Sequence, residues 1–246
     1  MSALAQRSRP GSLPDALSMQ NSIEQALKAA LTDRCYIGQI LIQKMMTGRF
    51  VLLHRDEEAH EDLQTFRSVE DAIEIAKHDD AGNYRPLKTA PNLRHGWRLE
   101  LATLEELRRA LDYFYPGRLA VFAARKKRKL QTTSLRETLD RQSGMYRVAA
   151  KISDSQIDDL VADFCRSDGG CLRTILWKRD TRGTVSSTKL PEEKFDPGWD
   201  QASVRPESSA YAKATADRPT PVTVPLLCQE ACNLLIAECR KVVKGE

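Results

Sequence analysis

The most informative segment of the chain lies near its C-terminus and reads Pro225-Leu-Leu-Cys228-Gln-Glu-Ala-Cys232-Asn-Leu-Leu-Ile-Ala-Glu-Cys239. A proline often opens a helix, and cysteines four residues apart share one helical face, so Cys228 and Cys232 are expected to point the same way. Cys228 would lie in the first turn, where unpaired backbone N–H groups favour a thiolate. A second pair, Cys165 and Cys171, lies upstream. Our hypothesis is that the two pairs close on one metal centre, with an iron–sulfur cluster as the leading interpretation.

The identity of the metal is open from the residues alone. Four thiolates suit either a tetrahedral zinc ion or an iron–sulfur cluster. Zinc knuckles favour gaps of two residues, which neither pair has, whereas a cluster is larger than a single ion and accepts wider gaps. Unpaired cysteines are also common as buried packing residues, which is the third alternative.

Two further cysteines are expected to pack in the core rather than to bind metal. Cys239 shares the helical face of Cys232 but lies about 10 Å farther along the helix axis, too far for one small cluster. Cys35 stands alone on an expected strand, where a cysteine usually acts as a small apolar residue. The histidines of the chain are His54, His60, His78 and His95. Their spacing is not that of metal ligands, so they are expected to be surface or hydrogen-bonded residues.

Bulk composition describes an ordinary globular protein. The chain has 246 residues, 41% hydrophobic and 29% charged, with a net charge of +4, which does not by itself indicate nucleic-acid binding. The longest apolar runs are far too short to cross a bilayer, and residues 1–18 lack the apolar core of a signal peptide. We therefore expect a cytoplasmic protein with no membrane partner, in which cysteines are thiols or metal ligands before disulfides.

The chain is expected to divide into two α+β domains. Residues 1–20 have no periodicity and predict a disordered extension, and residues 21–117 predict a small α+β domain. Residues 118–246 form the second α+β domain, which carries the paired cysteines. Within it, proline, glycine and serine break the pattern over residues 196–225, which predicts an exposed loop or insertion.

Hydrophobic periodicity predicts the elements of both domains. The first domain should contain a helix from Asn21 to Leu31, a strand from Cys35 to Lys44, a partner strand from Arg49 to His54, a helix from Ser68 to Ala76, a strand from Trp97 to Leu101 and a helix from Thr103 to Phe114. The second should contain a helix from Leu119 to Lys129, a strand from Met145 to Lys151, a helix from Ser153 to Phe164 and a strand from Cys171 to Trp177. The turn at Gly169 and Gly170 would let Cys165 and Cys171 approach each other.

Two basic segments have a functional and a structural interpretation. The run from Arg125 to Lys129 could be a nucleic-acid patch, but without interleaved aromatic residues it is better explained as a solvated helix end. Arg136, Arg141 and Arg147 could bind carboxylates or a polyanion, since guanidinium groups grip carboxylates bidentately. On composition alone, a surface corner with weak ion pairs is the better explanation for these three arginines.

Three segments together resemble a known module. They are Arg136-Glu-Thr-Leu-Asp-Arg141-Gln-Ser-Gly-Met-Tyr-Arg147, Cys171-Leu-Arg-Thr-Ile-Leu-Trp177 and Cys228-Gln-Glu-Ala-Cys232-Asn-Leu-Leu. This combination resembles the 4Fe-4S-binding accessory module found behind CbiX-type sirohydrochlorin cobaltochelatases, and residues 30–115 are similar to the stabilising domain that accompanies it. The resemblance covers about residues 30–240, except for the loop near 200–220. It implies a [4Fe–4S] cofactor with Cys165, Cys171, Cys228 and Cys232 as ligands.

The resemblance also implies a role in tetrapyrrole metallation. The chain shows no doubly wound α/β chelatase domain, so we do not expect it to act as a chelatase by itself. We expect an electron-transfer or regulatory accessory in sirohydrochlorin or cobalamin-type metabolism, whose partner is a separate chelatase or a redox protein. Arg136, Arg141 and Arg147 would then meet the carboxylates of a tetrapyrrole. The alternatives are a zinc-stapled interaction protein without a redox role and, ranked last, a nucleic-acid binder.

Overall fold

The computed structural model describes residues 16–79, 81–85, 92–165, 171, 173–177 and 222–246. Within these ranges helices accompany a mixed sheet, which confirms the predicted α+β class. No helix in these ranges is both long and apolar enough to cross a lipid bilayer.

The described elements form two packed units. The strands are β1 (Arg34–Ile37), β2 (Ile40–Lys44), β3 (Phe50–His54), β4 (Gln64–Phe66), β5 (Trp97–Leu101), β6 (Thr174–Ile175), β7 (Val222–Val224) and β8 (Leu227–Cys228). The α-helices are α1 (Ala16–Ala30), α2 (Asp71–Lys77), α3 (Leu104–Phe114), α4 (Arg118–Lys126), α5 (Leu135–Asp140), α6 (Asp154–Phe164) and α7 (Asn233–Lys244), and the 3₁₀ helices are Arg55–Glu57 and Gly144–Lys151. Six strands form one sheet in the order β4-β5-β3-β2-β1-β7, and β6 pairs with β8.

The segment from Cys35 to Lys44 is two antiparallel strands, β1 and β2, so the prediction of one continuous strand was wrong. The chain reverses at Gly38 and Gln39. Gly38 has a φ of +57°, which glycine adopts readily, and a Cβ at this position would lie 2.6 Å from the Tyr115 hydroxyl oxygen. That oxygen accepts a hydrogen bond from the backbone N–H of Gln39 at 2.9 Å. Apolar residues continue on both sides of the turn, which hid it from the sequence pattern.

The main core lies between the large sheet and helices α1 to α4. The predicted strand from Trp97 to Leu101 is confirmed as β5, in which Trp97, Leu99 and Leu101 are buried. The α3 helix begins as predicted, with a capping box in which the Thr103 side chain accepts the N–H of Glu106.

The α4 helix packs with this first core. Leu119, Val121 and Phe122 belong to the same buried cluster as the sheet. The α4 helix therefore belongs to the first unit. The boundary predicted between residues 117 and 118 had assigned it to the cysteine-bearing domain. The reason is that the Gly117 turn, with a φ of +71°, folds α4 back onto the same core instead of ending the unit.

The second core is formed by α5, the 3₁₀ helix of Gly144–Lys151, α6, β6, β8 and α7. The predicted helix after Ser153 is confirmed as α6, with a capping box formed by Ser153 and Gln156. The predicted strand from Met145 to Lys151 was wrong. Of the 3₁₀ helix residues only Ala149 is buried, so the segment has no apolar face for a sheet and packs against α7 instead.

The predicted ends of the chain also need correction. Residues 16–20 belong to α1, so the disordered extension predicted for residues 1–20 is too long, and residues 1–15 lie outside the described ranges. Of the loop predicted for residues 196–225, the final part contains β7, and residues 196–221 lie outside the described ranges. The Gly169-Gly170 turn also lies outside them.

The two units are joined through β7. This strand pairs in parallel with β1, with Cys35 opposite Val222 and Ile37 opposite Val224. The chain then passes through Pro225 and Leu226 into β8, which pairs with β6 of the second unit. The C-terminal segment is therefore an edge strand of the first sheet immediately before it supplies Cys228 to the second unit.

Candidate metal centre

Cys228 lies on β8, so the prediction that Pro225 opens a helix carrying Cys228 was wrong. Residues 224–228 are all buried in succession. A segment running between two cores can bury every residue, whereas an amphipathic helix buries only one face. The cysteines Cys228 and Cys232 therefore do not share a helical face.

Cys232, not Cys228, occupies the helix start. It is the N-cap residue of α7, and its carbonyl accepts the N–H of Ile236 at 3.1 Å. The unpaired N–H groups and positive dipole end that favour a thiolate are therefore next to Cys232.

The second pair is held by α6 and β6. Cys165 is the C-cap of α6, as predicted, and its N–H binds the carbonyl of Val161 at 3.0 Å. Cys171 is buried and precedes β6, which aligns Ile175 with Cys228 in the parallel β6–β8 pair. This pairing brings the segment of Cys171 beside that of Cys228.

All four paired cysteines line one small cavity. Its walls consist of Cys165, Cys171, Arg173, Ile175, Trp177, Cys228, Ala231, Cys232 and Leu235. Cys171 and Cys228 are buried, whereas Cys165 and Cys232 are partly exposed at its edge. Four soft sulfur donors in mostly apolar walls form the donor set of an iron–sulfur cluster or a zinc ion, so these residues fit a thiolate-bound metal group.

The other cysteines do not line this cavity. Cys239 is 0% exposed within the second core, and Cys35 is 0% exposed within the first. Both have the packing role predicted from the sequence.

Burial disfavours the thiolate form of Cys165 and Cys228. Burial raises the pKa of Cys165, and charge on Cys171, Cys232 and Cys228 would raise it further. Burial also raises the pKa of Cys228, although the Arg173 guanidinium opposes this shift. The Cys228 thiol donates to the Glu230 carbonyl at 2.8 Å. Because thiolates are the metal ligands, loading the site must release protons.

Two arginines give the cavity positive charge. The Nε–H group of Arg173 donates to the Cys171 sulfur at 3.3 Å. Burial alone would lower the pKa of Arg173, but charge on Cys228 and Cys171 and the hydrogen bond to Cys171 outweigh it, so the pKa is raised. Arg118 donates to the Leu227 carbonyl at 2.9 Å, beside Cys228. These cations offset the negative charge that four thiolates bring to a partly buried site.

The arginines predicted to contact a tetrapyrrole are not among the residues that line the cysteine cavity. Arg136 donates to the carbonyls of Ala150 at 2.7 Å and Ile152 at 3.4 Å. Arg141 pairs with Glu137 on α5. Arg147 is exposed. The contacts of Arg136 and Arg141 are local and structural, and tetrapyrrole binding by the three arginines stays a prediction.

A group of metal-ligand types that sequence spacing missed lies at the end of β3. The ligand atoms of His54, Asp56 and His95 are within 4.8 Å of one another, and the two imidazole centroids are 3.9 Å apart. His54 is 0% exposed, and its Nδ1 accepts the N–H of Asp56 at 3.3 Å. The Nδ1 lone pair of His54 is therefore already engaged in a local hydrogen bond. Only pairing of β3 with β5 brings the distant His95 near His54, so no sequence motif could reveal the group.

Two family models each match part of the chain. Residues 23–126 match the DR2241 stabilising domain, and residues 127–241 match the 4Fe-4S iron-sulfur cluster binding domain. No curated protein matches the chain.

A solved structure resembles most of the described fold. DR2241 from Deinococcus radiodurans superposes with a TM-score of 0.68 at 26% sequence identity, over 93% of this chain and 42% of that chain. DR2241 is described as a multi-domain protein with structural similarity to chelatases and two additional novel domains. The present chain thus spans less than half of the length of DR2241.

Proposed function

We propose, on the premise that this chain joins a DR2241 stabilising domain to a 4Fe-4S iron–sulfur cluster binding domain, that Cys165, Cys171, Cys228 and Cys232 together hold one [4Fe–4S] cluster. The convergence of these four sulfurs on one cavity carries the proposal. The cysteines come from three separate segments, namely the end of α6, the approach to β6 and the β8–α7 connection. Packing alone does not require four cysteines on one cavity.

The surrounding residues suit a one-electron carrier. A bound cluster supplies one-electron redox chemistry. Cys171 and Cys228, which are buried, and Cys165 and Cys232, which are partly exposed, would hold such a cluster. Arg173 lies on the buried side and balances thiolate charge. An electron-transfer partner would approach the Cys165–Cys232 edge.

We further propose that the protein is an electron-transfer or regulatory accessory to tetrapyrrole metallation of the sirohydrochlorin or cobalamin type. Support comes from the chelatase similarity described for DR2241, of which this chain matches 42%. A separate chelatase or redox protein would be the partner, and Arg147, exposed on the second unit, is the best placed of the three arginines for a tetrapyrrole carboxylate.

The cluster proposal is tested by purifying the full chain without oxygen and recording its absorption and electron paramagnetic resonance spectra. We expect a brown protein whose visible band bleaches with dithionite, while a one-electron paramagnetic signal appears. A colourless protein that holds one zinc ion would contradict the proposal and support the zinc-stapled alternative.

The accessory role has its own test. The loaded protein is mixed with sirohydrochlorin, and binding is followed by the change in tetrapyrrole absorption for the wild type and for Arg147→Ala. We expect saturable binding that weakens in the variant. Binding to a sirohydrochlorin chelatase is measured in parallel. If the loaded protein binds neither the tetrapyrrole nor the chelatase, the accessory role is contradicted, whereas the cluster proposal is unaffected.

A further inference from the structure

The indole N–H of Trp177 is a buried donor at the edge of the cysteine cavity. Trp177 is 3% exposed and lines the cavity beside Cys228. Its Nε1 atom has no hydrogen-bond acceptor in bonding geometry among the described residues. A buried tryptophan N–H normally has a partner, and leaving one without an acceptor is costly. The indole N–H nevertheless lies close enough to the Cys228 sulfur to interact with it, although outside the geometry of a full hydrogen bond.

Trp177 lies in the short segment that follows β6. Arg173, Ile175 and Trp177 all line the cavity, with Arg173 just before the two-residue strand β6 and Trp177 two residues after it. Arg173 already donates its Nε–H to the sulfur of Cys171 at 3.3 Å. The segment around β6 thus places two N–H donors at the cavity that holds the two buried cysteines, with the apolar Ile175 between them in sequence.

We propose that Trp177 and Arg173 set the reduction potential of the cluster by donating N–H hydrogen bonds to the sulfurs of Cys228 and Cys171. This inference rests on the proposed ligation by four cysteines. A thiolate is a stronger acceptor than the neutral thiol, so metal loading would give the Trp177 N–H the acceptor that it lacks.

The direction of the effect follows from charge. An electron taken from an external one-electron donor increases the negative charge on the cluster and its sulfur ligands, and N–H donors stabilise that charge. Apolar neighbours such as Ile175 and Leu235 strengthen the interaction, because a low local dielectric screens it poorly. Both donors therefore favour the reduced state and make the potential less negative.

The test is the midpoint potential of the anaerobically purified full chain, measured by dithionite titration with paramagnetic resonance detection. In Trp177→Phe we expect unchanged iron and sulfide content, and a ratio of reduced to oxidised cluster about tenfold lower at a fixed potential, which corresponds to about 59 mV for a one-electron couple. Arg173→Lys keeps the charge but loses the Nε–H donor, and its potential should fall in the same direction.

Trp97→Phe is the matched control. Its indole N–H donates to the Arg94 carbonyl at 2.6 Å in the first core, so this variant should change stability without changing the potential. A wild-type potential in a fully loaded Trp177→Phe protein would overturn the proposal.

A second replacement covers the case in which Trp177→Phe does not assemble the cluster. Benzothienylalanine at position 177 keeps the shape of the ring system and removes only the N–H. An unchanged potential in that variant also overturns the proposal, and a more negative one supports it. A wild-type chain without iron would instead contradict the four-cysteine ligation on which this inference rests.

Discussion

Position, rather than residue type, separates the roles of Cys232 and Cys239. Cys232 caps α7 on the cavity, whereas Cys239 is 0% exposed inside the second core. We expect Cys232→Ser to lose most of the cluster, because serine is a poor ligand for a soft metal centre. Cys239→Ala should keep full iron content and lower the free energy of unfolding by about 1 kcal/mol, since it removes a small buried group. Iron analysis and denaturant unfolding of both variants check this pair, and cluster loss in Cys239→Ala alone would reverse the assignment.

The buried thiol of Cys35 is expected to lower the free energy of unfolding as the pH becomes alkaline. Burial raises the pKa of its thiol to about 12, above the usual value near 8.5 for an unfolded chain. Between these values the unfolded chain has lost the proton and the folded chain still holds it. The stabilisation is therefore full below about pH 8.5 and is lost as the pH rises towards the folded pKa, by at most about 1.4 kcal/mol per pH unit.

The check compares wild type with Cys35→Ala in urea unfolding at several pH values from neutral to alkaline. The wild type should lose more stability with rising pH than the variant does. Parallel pH curves for the two proteins would show that Cys35 ionises as easily in the folded chain as in the unfolded one.

Gly38 is constrained by both its backbone and its neighbour. A Cβ there would meet the Tyr115 hydroxyl oxygen at 2.6 Å, and the φ of +57° is unfavourable for alanine. Gly48 offers a matched control, with a φ of +81° and nothing within 4 Å of the same added atom. We expect Gly48→Ala to cost about 1–2 kcal/mol and Gly38→Ala clearly more. Equal losses in thermal or denaturant unfolding would show that the contact with Tyr115 relaxes without cost.

At the scale of elements, the sequence predicted what local signals determine. The α3 and α6 helices have amphipathic spacing and capping boxes, and both were predicted within a residue or two. Elements that depend on a distant partner were missed. The short strands β7 and β8 are extended because β1 and β6 pair with them, and the sequence of residues 222–228 does not show either partner.

The same limit explains the error at Cys228. The four-residue spacing to Cys232 fits a helix locally, but tertiary burial of Leu226 and Leu227 in the first core keeps the segment extended. The fold nevertheless places all four paired cysteines around one cavity. The sequence pattern thus predicted four cysteines that line one cavity, although the local structure it predicted around Cys228 was wrong.

The β7 strand should couple the metal centre to the large sheet. Removing the metal frees β8, and β7 is separated from β8 only by Pro225 and Leu226. We expect hydrogen exchange to increase in β7 and at the β1 edge that pairs with it. The central strand β3, paired on both sides, serves as the internal control and should not change. Mass spectrometry of loaded and chelated protein measures this, and protection of β7 that persists after metal removal would show that the two units are independent.

At the scale of the whole molecule, the α+β class and the presence of a cysteine-bearing unit could be predicted from composition and motif order. The interlocking of the units could not. A sequence boundary assigns each residue to one domain, whereas residues 222–224 lie in the match to the cluster-binding domain and yet form an edge strand of the first sheet. The first unit therefore does more than precede the cysteine cavity in sequence, because its sheet edge pairs with β7, which lies just before the strand that carries Cys228.

The most direct measurement is the iron, acid-labile sulfide and zinc content per chain of the 246-residue protein purified without oxygen. One cluster held by Cys165, Cys171, Cys228 and Cys232 requires about four iron and about four sulfide per chain, with no stoichiometric zinc. One zinc per chain without sulfide, or iron content that is unchanged when Cys228 and Cys232 are both replaced by serine, would contradict the cluster site.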